Sequence, residues 1–182
     1  MSLRLWLLER CLPAPVRRQM LQQLVRTTGD AFGGPAPAMP DVGSPSFVPA
    51  FAQFTRTAAE RFAPGGPEAD AVRRRLYDGA RAIGLSIRRR AGIRTPDEAI
   101  RALRLVYRGI GIDLHANLET REVVVRRCEF SRHYTPAVCH FVSALDAGLF
   151  HGITDRWSVA FDLRMTDGAG LCRGRLTDAE RP

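Results

Sequence analysis

An α+β fold, with a helical N-terminal two-thirds packed on a C-terminal β-β-α-β-β antiparallel sheet, is what these 182 residues predict. Two observations carry the expectation. Apolar residues recur at steps of three and four up to about Tyr107, then switch to strict alternation from Ile112 onward. The later strands come in adjacent pairs around one helix instead of alternating singly with helices, which favours antiparallel pairing.

Residues 1–46 read as an amphipathic arm and a Pro/Gly-rich linker, and residues 47–182 as the α+β domain. In the arm, Val16, Met20 and Leu24 recur at helical spacing after "PAP", and Gly29 is the expected stop. "DAFGGPAPAMPDVGSPS" is dense in Gly and Pro and reads as a loop. Phe47, Phe51, Phe54, Ala58 and Phe62 then mark one face of a helix and read as core, and "PGGP" ends that helix. A long helix follows from about Glu68 to Arg90, with Val72, Leu76, Ala80, Ile83 and Ile87 as its stripe and the arginines mostly opposite. Thr95 as N-cap, Pro96 in the first helical position and Glu98 three residues after the cap start the next helix, with Gly109 or Gly111 as its stop.

Ile112, Leu114, Ala116 and Leu118 alternate with Asp113, His115 and Asn117, which predicts a half-buried strand. "REVVVRRC" is the second strand, after a turn at Glu119–Thr120. In it Val123 and Val125 share one face and Val124 and Cys128 the other, so Cys128 follows Val124 unless a bulge intervenes. Thr135 caps a helix with Val138, Val142, Leu145 and Leu149 as its apolar stripe. Trp157, Val159, Phe161, Leu163 and Met165 alternate as the third strand, and Cys172, Gly174 and Leu176 share one face of the fourth.

The net charge of +8 suggests a polyanionic partner, but all 27 basic residues are Arg, alongside abundant Ala, Gly and Pro. That pattern looks like compositional bias, and no nucleic-acid-binding signature accompanies it, so no nucleic-acid partner is expected. The N-terminus has too short an apolar run for a spanning helix and lacks a secretory cleavage pattern, which makes a cytoplasmic location the expectation. In that compartment the four cysteines are thiols rather than disulfides. The arm carries Trp6, Leu7 and Leu8 near Arg4, Arg10, Arg17 and Arg18, a composition suited to a membrane surface or a second subunit. No Walker loop, dinucleotide fingerprint or nucleophile-elbow motif occurs.

The chemistry-bearing stretch is "RRCEFSRHYTPAVCHF", Arg126–Phe141. On the helix that follows Thr135, Cys139, Ser143 and Asp146 stand at i, i+4 and i+7, one row beside the apolar stripe. With Cys128 at a strand end and Cys172 on the last strand, they make a credible wall of a small-molecule pocket. Three readings of the thiols compete. As a metal site, Cys128, Cys139 and Cys172 with His133 supply the right ligand types, but their spacing matches no compact zinc knuckle, and neither metal nor cofactor is expected. As a catalytic site, Cys139 is the nucleophile, Asp146 the base or orienting group, and His133 a proton shuttle or the cation favouring thiolate. Cys128, Ser143, Tyr134 and Cys172 would bind ligand. As core, the cysteines pack as small hydrophobes.

The order "VVVRRCEF … VCHFVSALDAGLF … ITDRWSVAFDLRMTDGAGLCRGRL" resembles the C-terminal half of the L-2-amino-thiazoline-4-carboxylic acid hydrolase-like proteins and, more distantly, the vinyl-reductase-type small-molecule-binding domain. The likeness runs from about Leu76 to Leu176, with Cys128, Cys139, Asp146, Gly168 or Gly170, and Cys172 at the matching positions. It implies hydrolysis of a thiazoline-type ring or related C–N bond. A non-enzymatic ligand-binding or sensor module, and an interaction protein using its arm, are the alternatives. Leu163 stands where the vinyl-reductase-type domain carries a further cysteine, and "LCRGRL" lacks the aromatic that follows the last cysteine in the hydrolase-like proteins.

Overall fold

The computed structural model describes residues 14–62 and 65–179. Cys11 and the Trp6–Leu8 run lie outside the described residues. Four helices come first: α1 (Ala14–Ala31), α2 (Phe47–Glu60), α3 (Pro67–Ala91) and α4 (Pro96–Gly109). Strands β1 (Ile112–Ala116) and β2 (Glu122–Cys128) follow, then helices α5 (Pro136–Val142) and α6 (Ala144–Thr154), then β3 (Trp157–Leu163) and β4 (Cys172–Asp178). The sheet is antiparallel throughout, in the order β1-β2-β4-β3. The chain is an α+β protein.

Local chemistry sets the helix ends. Thr95 Oγ1 accepts the Glu98 N–H while the Glu98 carboxylate accepts the Thr95 N–H, a reciprocal capping box at the start of α4. Gly92 ends α3 at φ 65°, a left-handed conformation that glycine adopts without a Cβ penalty. Gly29 does not end α1, which runs on to Ala31. Its hydrogen is needed for another reason: a Cβ there would stand 2.5 Å from the backbone nitrogen of Ala36, because the following loop folds back against the helix. The helix of the expected arm is packed, with Leu21 and Thr28 buried against the rest of the protein.

Helices α3 and α6 form the most extensive contact between elements. Glycines make it so close. A Cβ on Gly148 would lie 2.1 Å from the Tyr77 carbonyl oxygen, and one on Gly152 would lie 2.2 Å from the Arg81 carbonyl oxygen. Gly84 meets Gly152 across the same seam. Arg88 fastens one end by donating to the Ile153 and Thr154 carbonyls, satisfying acceptors that α6 leaves open at its C-terminus.

The expected single helix after Thr135 is two, divided at Ser143. The Ser143 hydroxyl donates to the His140 carbonyl at 2.7 Å, the back-bonding by which serine bends helices. The stretch Pro136–Thr154 is apolar and long enough to cross a bilayer by length and composition, but half of it is buried inside the protein, and it serves as core. Phe150 and Ile153 have no exposed surface, and burying each such side chain contributes about 2–3 kcal/mol.

Two bulges interrupt the sheet. In β2, Arg126 has no partner, since Asp113 pairs with Arg127 and Leu114 with Val125. Val123 and Val125 face the core, and the extra residue turns Cys128 to their side, away from the parity it shares with Val124. In β3, Asp162 is the unpaired residue between Phe161, opposite Gly174, and Leu163, opposite Arg173. The alternation expected through Met165 therefore breaks: Leu163 is 36% exposed and Arg164 is only 7% exposed.

Candidate functional site

A cavity of about 120 Å³ lies between α5–α6 and the sheet, lined by apolar side chains that include Phe51, Ile83, Phe130 and Val142. Cys128, Tyr134, Cys139, Asp146 and Cys172 all line it. The topology explains the convergence. The β2 bulge delivers Cys128, the face alternation of β4 delivers Cys172 beside Val125, and the two short helices supply Cys139 and Asp146 on either side of the Ser143 bend.

Among the described residues, Asp146 is the one acidic or basic side chain on the wall. Its Oδ1 accepts the Tyr107 hydroxyl at 2.7 Å. Burial pushes its carboxyl above the ordinary range, while the Tyr107 hydrogen bond and the Arg164 charge pull the other way. Tyr107, itself 2% exposed, is pushed well above its usual value, first by burial and then by the Asp146 charge. Tyr134 is anchored elsewhere. Its hydroxyl meets Thr55 Oγ1, which in turn reaches the Phe51 carbonyl at 2.9 Å. Since Thr55 has one proton to give and directs it at the backbone, Tyr134 is the donor in that pair.

The thiols differ. Burial pushes the Cys128 thiol up to about 12, and the Ser131 hydroxyl donates to the same residue's carbonyl at 2.7 Å. Burial also raises Cys172, whose sulfur accepts the Met165 N–H at 3.4 Å. Both are therefore protonated and unreactive at neutral pH. Cys139 Sγ has a different neighbour, the Arg164 guanidinium, whose Nη1 stands 3.6 Å away. Arg164 also reaches Ser143 Oγ at 3.5 Å and lies 5.4 Å over the Phe161 ring, while its Nε is buried without a partner.

Two residues expected at the site stand off it. His133 does not line the cavity; it caps the 3-10 turn after β2, and its carbonyl accepts from Arg56 at 3.2 Å. The cation beside Cys139 is Arg164 instead. Ser143 is turned to the His140 carbonyl and Arg164 by the helix bend, so it braces the wall from behind. Arg164 and Tyr107 are missed by sequence reasoning. Unbroken alternation would have put Arg164 on the solvent face, and the Tyr107 contact spans 39 residues. Among the described residues, no three His, Cys, Asp or Glu side chains are grouped to hold a metal ion.

No protein-family model matches the chain, and no curated protein matches it in sequence. Among solved structures, it is similar to a vinyl-4-reductase family protein from Methanocaldococcus jannaschii, at 11% identity over 88% of this chain and 93% of that one, with a TM-score of 0.44. A likeness of that size assigns neither family nor function.

Proposed function

We propose that this protein binds a small, largely apolar molecule in the cavity between α5–α6 and the sheet, as a ligand-binding or sensor module. The observation that supports the reading is the wall itself: apolar side chains, thiols and a few hydroxyls surrounding one carboxylate, an arrangement typical of ligand pockets. An engineered apolar cavity of roughly 150 Å³ takes up benzene, so a space of about 120 Å³ suits a five- or six-membered ring. Titration with benzene, followed by amide NMR on the full chain, should shift the signals of lining residues such as Ile83, Leu149 and Cys172. Shifts elsewhere, or none at saturation, would remove this reading.

A second reading, a hydrolase-like enzyme acting on a thiazoline-type ring or related C–N bond with Cys139 as nucleophile, is favoured by the placing of that thiol on the cavity wall with the Arg164 Nη1 3.6 Å from its sulfur. It lacks a histidine base at the cavity, and Asp146 is the acid–base group it would have to use. Iodoacetamide labelling at neutral pH separates the two. The enzyme shows one fast thiol at Cys139, whereas the binding module shows none before it unfolds.

A further inference from the structure

We propose that the ligand of this cavity is a small neutral molecule carrying a single N–H or O–H donor, received by Asp146 Oδ2. The inference rests on the binding role proposed above and adds the chemistry of what is bound. Asp146 has two acceptor oxygens in an apolar wall, and protein occupies only one. Tyr107 donates to Oδ1 at 2.7 Å. Among the described residues no donor reaches Oδ2, and that oxygen is not among the atoms sealed off by protein. A carboxylate oxygen left without a donor in apolar surroundings is costly, so a donor arriving with the ligand gains a charge-assisted hydrogen bond.

The remaining polar groups on the wall narrow the choice. Tyr134 is committed to Thr55 and Ser131 to the Cys128 carbonyl, while Thr166 Oγ1 has no partner among the described residues but is sealed from the open space. Cys128 and Cys172 are neutral thiols, weak partners in either direction. Arg164 lies behind Cys139 and Ser143, and its field already acts on Asp146. The two charges offset one another. An anionic ligand would face the Asp146 carboxylate, and a cationic one would add an uncompensated charge beside Arg164. A neutral donor avoids both costs, and the cavity volume holds about one small ring.

Pyrrole and furan are near-isosteric rings that differ in the N–H. In NMR titrations of the full chain at a pH above the ionisation of Asp146, followed by its own carboxyl carbon signal, pyrrole should bind at least about tenfold tighter than furan, the equivalent of ~1.4 kcal/mol. Asp146→Asn should erase or reverse the preference, because its amide oxygen takes the Tyr107 proton and its NH₂ faces the ligand. Tyr107→Phe, measured above the ionisation of its own Asp146 carboxyl, should keep the preference and serves if the Asn variant does not fold. Equal binding of the two rings, a preference that survives Asp146→Asn, or one lost in Tyr107→Phe overturns the donor assignment while leaving the cavity reading intact. Binding of neither ring overturns the cavity reading and this inference with it.

Discussion

Helix α6 has two faces that obey opposite rules. Toward α3, Gly148 and Gly152 bring backbone against backbone, with no room for a methyl group. Toward α4 and the sheet, Asp146 and Leu149 border open space, and a carboxylate oxygen goes without a donor among the described residues. The same eleven residues thus supply the tightest contact in the fold and the wall of its cavity. Rigidity on one side holds the other open: with α6 pinned by α3 and by Arg88, it cannot settle inward to close the gap.

The seam should break first and hardest. Gly148→Ala forces a Cβ into the Tyr77 carbonyl, and we expect a loss of about 3 kcal/mol in urea denaturation. A loss under about 1 kcal/mol would mean that α6 shifts easily, and the contrast between the faces would fall. On the cavity side, Tyr107→Phe strands the Asp146 carboxylate without its donor, and about 1–3 kcal/mol should be lost at neutral pH. An unchanged midpoint would show that water takes the place of the hydroxyl.

The next effect depends on pH. Asp146 is raised above its ordinary value of 3.8, so the folded protein keeps that proton where the unfolded chain has lost it. Below 3.8 this group costs no stability; as pH rises through the raised folded value, stability falls. Denaturation of the wild type and of Asp146→Asn across this window should show the extra downward slope in the wild type alone. Parallel curves would mean that the carboxyl is as well solvated as in the unfolded chain. Smallest of all, Gly170→Ala, where a Cβ would meet nothing within 4 Å, should change stability by less than about 0.5 kcal/mol. A larger change would show that close packing extends beyond the seam.

What the sequence disclosed and what it hid divide along physical lines. The capping box at Thr95 and Glu98, the stripe from Val72 to Ile83 and the shared face of Cys172, Gly174 and Leu176 are local patterns, legible from spacing alone. Hence the α+β architecture could be read, as could Cys139 and Asp146 as companions on one helical stretch. The bulges at Arg126 and Asp162 depend on which strand lies alongside, and no run of residues announces them. Each inverts the parity after it, which is why Leu163 reads as core and Arg164 as surface when the reverse holds. His133 was attractive through nearness in sequence, yet the 3-10 turn carries it past the cavity. The glycine spacing of Gly148 and Gly152 is visible too, but its meaning depends on α3, more than fifty residues upstream.

The two bulges also set how the site can change over generations. Pairing β2 regularly with Arg126 kept in the strand would swing Cys128 from the cavity to solvent, and pairing β3 regularly with Asp162 kept would exchange Arg164 for Leu163 behind Cys139, whereas deleting either bulged residue leaves both where they are. At this sheet a one-residue slip of register rewrites the lining of the cavity more thoroughly than most substitutions, and it does so without touching the helix seam.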